Sequence, residues 1–169
     1  IPGLLETAAR NVSKGQKTIK IFELGSIYYQ DQGEKKVVEK TNFAALVTGS
    51  HENNVWKTHG KTYDYYDLKG VLETVMAQFR LKLEYRPSHR HFLAPAKTVE
   101  CLVGDCVVGY MGELSPQQAR QWGLNAYVLE IDMEQLVQVL PPVVRFASIP
   151  KYTETYRDIS ILIGKSVPS

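Results

Sequence analysis

Hydrophobic and polar positions alternate along this 169-residue chain in patterns that predict helices and strands in turn. Residues 2–12 carry apolar side chains at helical spacing, and Pro2 suits the first turn of a helix. Residues 18–31 (TIKIFELGSIYYQD) are apolar enough to predict a strand in the middle of a sheet, kinked at Gly25. Residues 43–48 predict another buried strand. The chain therefore opens with a helix that packs its apolar stripe on a sheet.

The clearest helical pattern covers residues 64–80 and begins at a capping residue, Asp64 or Asp67. Gly70 within it costs about 1 kcal/mol relative to alanine, so we expect close packing at that position. Apolar side chains recur there with the 3.6-residue period of a helix and predict one core-facing stripe: Leu68, Val71, Leu72, Val75, Met76 and Phe79.

The second half of the chain predicts further strands and two short helices. Strands are expected at residues 82–86, 98–103, 106–111 and 127–131, the middle two joined by a tight turn at residues 104–105. Helices are expected from Ser115, which opens a capping box, to Gly123, and again after Asp132. A further strand at 157–163 lies beyond a boundary near Pro150. We predict an α+β fold, an antiparallel or mixed sheet of about six strands flanked by helices.

Composition and charge narrow the class of protein only slightly. Apolar residues make up 44% and charged residues 22%, and the net charge is +2, which does not by itself indicate nucleic-acid or membrane binding. Two cysteines are too few for a disulfide-built fold and fit a reducing cytosol. No apolar run reaches the length of a membrane span. Because the chain starts without methionine, we expect it to be a piece of a longer protein.

Candidate chemistry is sparse. There is no glycine-rich phosphate loop, nucleophile elbow or paired-histidine zinc motif. The loop at residues 89–91 (HRH) predicts either a solvated turn or a phosphate or tRNA contact. Cys101 and Cys106 are expected to share a face of the hairpin as free thiols. Tyrosines at 28, 29, 63, 65 and 66 are interpreted as half-buried rather than base-stacking side chains. Acids in or beside strands could bind Mg²⁺ only if they converged: Glu23, Asp31, Glu113, Glu130 and Asp132.

Several blocks in a fixed order resemble the beta subunit of bacterial phenylalanyl-tRNA synthetase. The matching blocks are PGLLE (residues 2–6), ARN (9–11), FELG (22–25), DYYDLKG (64–70), GYMGELSP (109–116) and YVLEID (127–132). The resemblance implies a class II aminoacyl-tRNA synthetase-like core over residues 1–145. The tail (IPKY at 149–152, RDIS at 157–160) resembles the start of an anticodon-binding domain, so residues 146–169 are expected to be a linker and its first strand. Residues 93–98 (LAPAKT) depart from the family pattern.

The resemblance also implies that this core does not catalyse. Class II enzymes hold the α-phosphate of ATP with an arginine, and by alignment Tyr29 stands at that position, where a phenol carries no positive charge at neutral pH. The second cation would come from residues 130–135 (EIDMEQ), which include no arginine. We therefore expect no catalytic, cofactor-binding or metal-binding residue in this fragment.

The whole enzyme is expected to be a cytoplasmic ligase that uses ATP, Mg²⁺, phenylalanine and tRNA(Phe). Its alpha subunit would hold the active site in an (αβ)₂ heterotetramer. The fragment would then be a structural core that exposes an apolar patch, through which it could self-associate. Two alternatives are an active ligase with displaced cations at Arg10, Lys20 or Arg80, and a synthetase-like module that senses an amino acid.

Overall fold

A computed structural model describes residues 1–30, 36–50, 61–141 and 158–160. Four helices and six strands occur in these residues. The helices are α1 (Pro2–Ser13), α2 (Tyr65–Gln78), α3 (Pro116–Trp122) and α4 (Met133–Gln138). The strands are β1 (Ile19–Gln30), β2 (Val37–Thr48), β3 (Glu84–Pro87), β4 (Leu93–Val103), β5 (Cys106–Leu114) and β6 (Tyr127–Asp132).

All six strands form one sheet in the order β1-β2-β6-β5-β4-β3, and every neighbouring pair is antiparallel. The predicted α+β class is thus confirmed, and the sheet is antiparallel rather than mixed. Strand β6 is the last of the described strands along the chain but lies between β2 and β5, so it joins the β1–β2 hairpin to the β4–β5 hairpin.

Each face of the sheet carries its own apolar core. On one face, α2 and α4 cover a cluster that includes Leu72, Met111 and Leu129. On the other face, Leu5 and Ala8 of α1 pack against a second apolar cluster, to which the strands contribute Leu46 and Val128. The sheet is therefore a middle layer, which is why β6 has buried residues of both parities.

The helix boundaries follow the predicted capping residues. The Asp64 side chain accepts hydrogen bonds from the N–H groups of Tyr66 and Asp67, and Asp67 returns one from the Asp64 N–H, so the capping box of α2 is complete. In α3, the Ser115 hydroxyl accepts from the Gln118 N–H, but the Gln118 side chain accepts from Trp122 Nε1 instead of closing the box.

The position of β1 in the sheet differs from the prediction. Among the described strands, β1 lies at an edge of the sheet, not in the middle, and Phe22 and Leu24 are 74% and 60% exposed. Its pairing with β2 continues through Gly25, opposite Asn42, without a register shift, and the kink expected there stays a prediction. An apolar run indicates which residues favour burial, but it does not fix where a strand lies in its sheet.

The predicted six-residue stripe of α2 is only half buried. Leu68, Leu72 and Met76 lie in the core, whereas Val71, Val75 and Phe79 flank them with 59%, 43% and 45% of their surfaces exposed. The exposed half lines a groove that Phe22 and Leu24 of β1 also line, so the described strands leave the space beside it unfilled. The other half of the stripe is left as an open apolar surface.

The expected close packing at Gly70 is also wrong, because a methyl group there would meet no atom within 4 Å. We therefore expect Gly70→Ala to raise the free energy of unfolding by about 0.5–1 kcal/mol, since alanine removes the entropic cost of glycine inside a helix. Denaturant titration of both proteins measures the difference. Gly123→Ala is the matched control: this C-cap residue of α3 has a φ of 69°, so the same substitution should be destabilising.

The β4–β5 hairpin confirms the predicted turn and pairs Val103 with Cys106. A register shift after Cys101 then places Cys101 opposite Gly109. Cys101 is buried, Cys106 is partly buried, and both are free thiols in the same core. Burial raises the pKa of Cys101 to about 12, which keeps that thiol protonated and unreactive.

Residues 31–35, residues 51–60 and most of the proposed linker lie outside the described residues. The predicted strand at 157–163 overlaps the described residues only at 158–160, which are exposed and assigned to no strand. The division at residue 145 therefore stays a prediction. Among the described helices, none combines the length and the hydrophobicity needed to cross a bilayer.

Candidate functional site

A row of polar side chains crosses the α1 face of the sheet. Asn42 on β2, Glu130 on β6, Tyr110 on β5 and Glu100 on β4 share this face, because the register pairs Tyr110 with both Glu130 and Glu100. We call these residues, together with Lys40, Asp132 and Arg90, the polar row. It occupies the sheet centre, where the resemblance would place the site of an active class II enzyme.

Glu130 is the centre of this row. Its carboxylate accepts a hydrogen bond from Asn42 Nδ2 at 3.0 Å and another from the Tyr110 hydroxyl. Burial, and then the hydrogen bond to Glu130, raise the pKa of Tyr110, so this phenol remains a proton donor. The Glu130 carboxylate is therefore already hydrogen-bonded to two neighbouring side chains.

Lys40 and Asp132 form the next pair along the row. Lys40 Nζ lies 3.0 Å from Asp132 Oδ2, and the other carboxylate oxygen caps α4 by accepting from the N–H groups of Glu134 and Gln135. Tyr29, the residue aligned with the missing arginine, has its ring centre 6.0 Å from the same ammonium. The hydrogen bond to Asp132 raises the pKa of Lys40, which keeps this cation charged and paired.

The Asp132 carboxylate should make folding sensitive to acid. Burial alone would raise its pKa, but the hydrogen bonds from Gln135, Lys40 and Glu134 outweigh it and hold the pKa below the usual range. A depressed native pKa gives stability that is present above about pH 4 and lost as the pH falls through the native value. We expect Asp132→Asn to lower the free energy of unfolding by about 0.5–1 kcal/mol at pH 7.

Denaturant titrations from pH 7 to pH 2.5 measure this effect, and the two proteins should converge at the acid end. Glu6→Gln is the matched control, because its exposed pair with Arg10 lies on the surface of α1. That variant should differ from the parent by only a few tenths of a kcal/mol. A constant offset of Asp132→Asn at every pH would contradict the assignment.

The predicted HRH loop divides between solvent and the sheet. His89 and His91 are exposed, as expected for a solvated turn, but Arg90 lies 4.6 Å from the centre of the Tyr110 ring. Arg90 Nε is buried without a hydrogen-bond partner, and so is Asn42 Oδ1 on the same face. The possible phosphate or tRNA contact of this loop stays a prediction.

The remaining candidate acids do not converge. Glu23 is exposed on the edge strand, and Glu113 pairs with Lys97. Within the described part of the chain, no three His, Cys, Asp or Glu side chains could together hold a metal ion. Asp31 lies outside the described residues.

The five candidate tyrosines do not share one environment. Tyr28 and Tyr66 are 66% and 71% exposed, Tyr29 is 43% exposed, and Tyr63 is buried. Tyr65 is partly buried, and burial raises its pKa to about 12. Half-burial therefore describes Tyr65 and Tyr29 but neither the buried Tyr63 nor the exposed Tyr28 and Tyr66.

Sequence reasoning missed the partners that β2 supplies to Glu130 and Asp132. Lys40 and Asn42 have the same parity in β2 as buried Ala44 and Leu46, so a period-two reading places them on the same face. That signal was available, but their partner strand β6 lies about ninety residues away and is not indicated by local sequence.

The opposite face carries an open apolar groove of about 610 Å³ between β1 and α2. We call it the apolar groove, and its exposed walls are Phe22, Leu24, Val71, Val75 and Phe79. Lys20 and Asp67 are the charged residues in its lining, and Lys20 Nζ lies 4.4 Å from the centre of the Tyr63 ring. The predicted exposed apolar patch is confirmed.

The family assignment follows from comparison with known proteins. A family model described as the phenylalanyl tRNA synthetase beta chain CLM domain matches residues 1–133. The chain belongs to this family. Among curated relatives, the phenylalanine–tRNA ligase beta subunit of Bacillus licheniformis is 30% identical over 98% of this chain, and that of Geobacillus kaustophilus is 29% identical over 99%. This chain spans only about a fifth (21%) of the length of either relative.

Solved structures show the fold of this CLM domain in other proteins. A pyrrolysyl tRNA synthetase from Desulfitobacterium hafniense superimposes with a TM-score of 0.58 at 19% identity, over 82% of this chain and 46% of that one. A second structure of the enzyme gives a TM-score of 0.57 at 18% identity, over 82% of this chain and 47% of that one. At this identity the likeness concerns the fold alone.

Proposed function

We propose that this CLM domain is a class II synthetase-like but non-catalytic structural core of a phenylalanine–tRNA ligase beta subunit. The observation that supports it is the polar row, whose central groups are bonded to one another. Glu130 accepts from two neighbouring side chains, and Lys40 is paired with Asp132. A substrate would have to break these bonds before it could bind there.

The charges of the row also oppose adenylation. Negative charge develops on the α-phosphate in that reaction, and a catalytic site must place cations there. Here Tyr29 stands in the aligned position, and the nearest ammonium, Lys40, is 3.0 Å from a carboxylate. Glu130 and Asp132 would repel a triphosphate. The alternative of an active ligase with displaced cations is not favoured at two of its three positions. Arg10 pairs with Glu6 on the surface of α1, and Lys20 lies over the Tyr63 ring in the groove on the opposite face.

The activity of the whole protein follows from its relatives and is also a proposal. We infer a cytoplasmic ligase in which an alpha subunit binds ATP, Mg²⁺ and phenylalanine and charges tRNA(Phe). The beta subunit would complete an (αβ)₂ assembly. Residues 1–145 would form the core, and residues 146–169 would lead into an anticodon-binding domain.

Phenylalanine-dependent exchange between ATP and pyrophosphate tests the proposal. The chain alone should show no exchange above buffer, and neither should Tyr29→Arg, since the second cation is missing too. An alpha subunit assembled with a full-length beta subunit is the positive control. Exchange by the isolated chain that is lost when Lys40 is changed to methionine would overturn the proposal.

A second candidate function is amino-acid sensing. It is favoured by the two buried polar atoms without partners on the polar row, Arg90 Nε and Asn42 Oδ1, because such atoms are costly unless a ligand or water bonds them. Thermal shift measurements with the twenty amino acids test it. A shift with one amino acid that is lost in Arg90→Met would support sensing, and no shift would exclude it.

A further inference from the structure

The apolar groove continues onto a strand edge that is free in the described part of the chain. Strand β1 is the terminal strand of the sheet, so its outer N–H and C=O groups have no strand beside them there. Over twelve residues it has no proline and no register shift. Natural edge strands are normally protected by prolines, bulges or several charges, and β1 carries only Lys20 and Glu23. The edge is therefore suited to pairing with another strand.

The sequence of β1 is complementary to itself. Two copies can pair antiparallel about a two-fold axis perpendicular to the sheet, and directly opposite residues then lie on the same face. With the axis at Leu24, Ile21 lies opposite Ile27 of the other copy and Lys20 lies opposite Tyr28. Glu23 lies opposite Gly25, so no like charges meet, and almost the whole strand is paired.

Neighbouring registers are less favourable. An axis at Glu23 places two carboxylates directly opposite each other, which is destabilising in a sheet. An axis at Phe22 leaves the C-terminal part of β1 without a partner. An axis at Gly25 pairs the strand equally well, but it places two glycines at the axis and Leu24 opposite Ser26, so fewer apolar side chains meet. Apolar contact therefore favours the register centred at Leu24.

The same arrangement covers the groove. A two-fold axis perpendicular to the sheet keeps the groove-bearing faces of the two copies on the same side of the joined sheet. The two grooves therefore become neighbours across the new β1–β1 pairing. Leu24 and Phe22, which are 60% and 74% exposed, would be buried there beside Val71 and Val75 of α2. The groove is lined by one cation and one anion, so two copies bring no net charge together.

We propose that the apolar groove and the outer edge of β1 form an interface with a second copy of this chain, through antiparallel β1–β1 pairing centred on Leu24. The occupant is a second copy because charge and register make this edge complementary to itself. This interface does not depend on whether the polar row is catalytic.

Sedimentation of the 169-residue chain over a range of concentrations tests the interface. The parent should reach a dimer, and Leu24→Lys should raise the dimer dissociation constant at least about tenfold, because two ammonium groups would face each other at the axis. Val137→Lys is the matched control: Val137 is also 60% exposed but does not line the groove, so its variant should dimerise like the parent. Circular dichroism confirms that both variants fold.

Cysteine cross-linking tests the register. In a Cys106→Ser background, Leu24→Cys should form a disulfide between copies under mild oxidation, because residues at the axis face each other directly. Phe22→Cys should not, since its two copies would lie about 14 Å apart along the strands.

Three outcomes would overturn the proposal. The first is a monomer at every concentration, and the second is a dimer that Leu24→Lys leaves intact. The third is a single cysteine at residue 24 that is protected from alkylation only when an alpha subunit is added, which would assign the groove to that subunit. None of these outcomes depends on exchange activity, so failure of this interface and failure of the proposed function are distinguishable.

Discussion

Replacing Leu129 by alanine is expected to lower the free energy of unfolding by about 2–5 kcal/mol. Leu129 is 1% exposed and lies on β6, between β2 and β5 and beneath α2. Its removal would leave a cavity where the two hairpins are joined, and strands paired on both sides have little freedom to close it. The loss should therefore lie in the upper half of the range.

Denaturant titration of the parent and Leu129→Ala measures the loss at constant pH. Val137→Ala is the control, because Val137 is an exposed aliphatic residue on α4 and its truncation should change stability by less than about 0.5 kcal/mol. Equal losses in the two variants would show that β6 is not the centre of the core.

Alanine at Gly109 should also be strongly destabilising, by about 3 kcal/mol, for the opposite reason. A methyl group there would overlap the backbone carbonyl oxygen of Glu130 and lie 2.7 Å from Ile131 Cδ1 and 2.9 Å from Ile131 Cα. Because two of these atoms belong to the backbone, rotation of a side chain cannot relieve the overlap. Strands β5 and β6 would have to separate.

Comparison with Gly70→Ala separates the effect of a steric overlap from the effect of adding a methyl group to a glycine. Both variants add one methyl group to a glycine, yet the free energy of unfolding should fall for Gly109 and rise for Gly70, where the space is open. Denaturant midpoints of the two variants, measured side by side, decide the sign. A neutral Gly109→Ala would mean that β5 and β6 are not as close as described.

Local sequence was sufficient for most of the elements. The capping residues Asp64, Ser115 and Asp132 mark the start of α2, α3 and α4, and Gly104 marks the turn of the β4–β5 hairpin. These features depend on neighbours a few residues apart, which is the distance over which capping and turn geometry act. Strand β2 was predicted too short, because the last four residues of its first half, Glu39–Asn42, are all polar.

Strand order and the depth of burial were not predictable in the same way. The apolar run of β1 is typical of a central strand, but the order of the described strands places it at an edge. Half of the α2 stripe is exposed as well. Hydrophobic periodicity indicates which side chains favour burial. The described residues do not bury all of these side chains on β1 and α2.

The candidate site shows the same limit. The resemblance placed Tyr29, Glu130 and Asp132 near a former site, and the structure does bring Tyr29 and Asp132 to the same ammonium. The bonds from Asn42 and Tyr110 to Glu130 join three strands, so they depend on a register that no short segment specifies.

The place of β6 between two hairpins has a consequence for how the chain folds. The β1–β2 hairpin can form early, but its inner edge must wait for residues 127–132, which closes a loop of about eighty residues and costs chain entropy. Topologies rich in such distant pairings fold slowly, and their intermediates aggregate readily. During synthesis, about eighty residues must follow β2 before its partner leaves the ribosome. We therefore expect refolding yield to fall steeply with protein concentration.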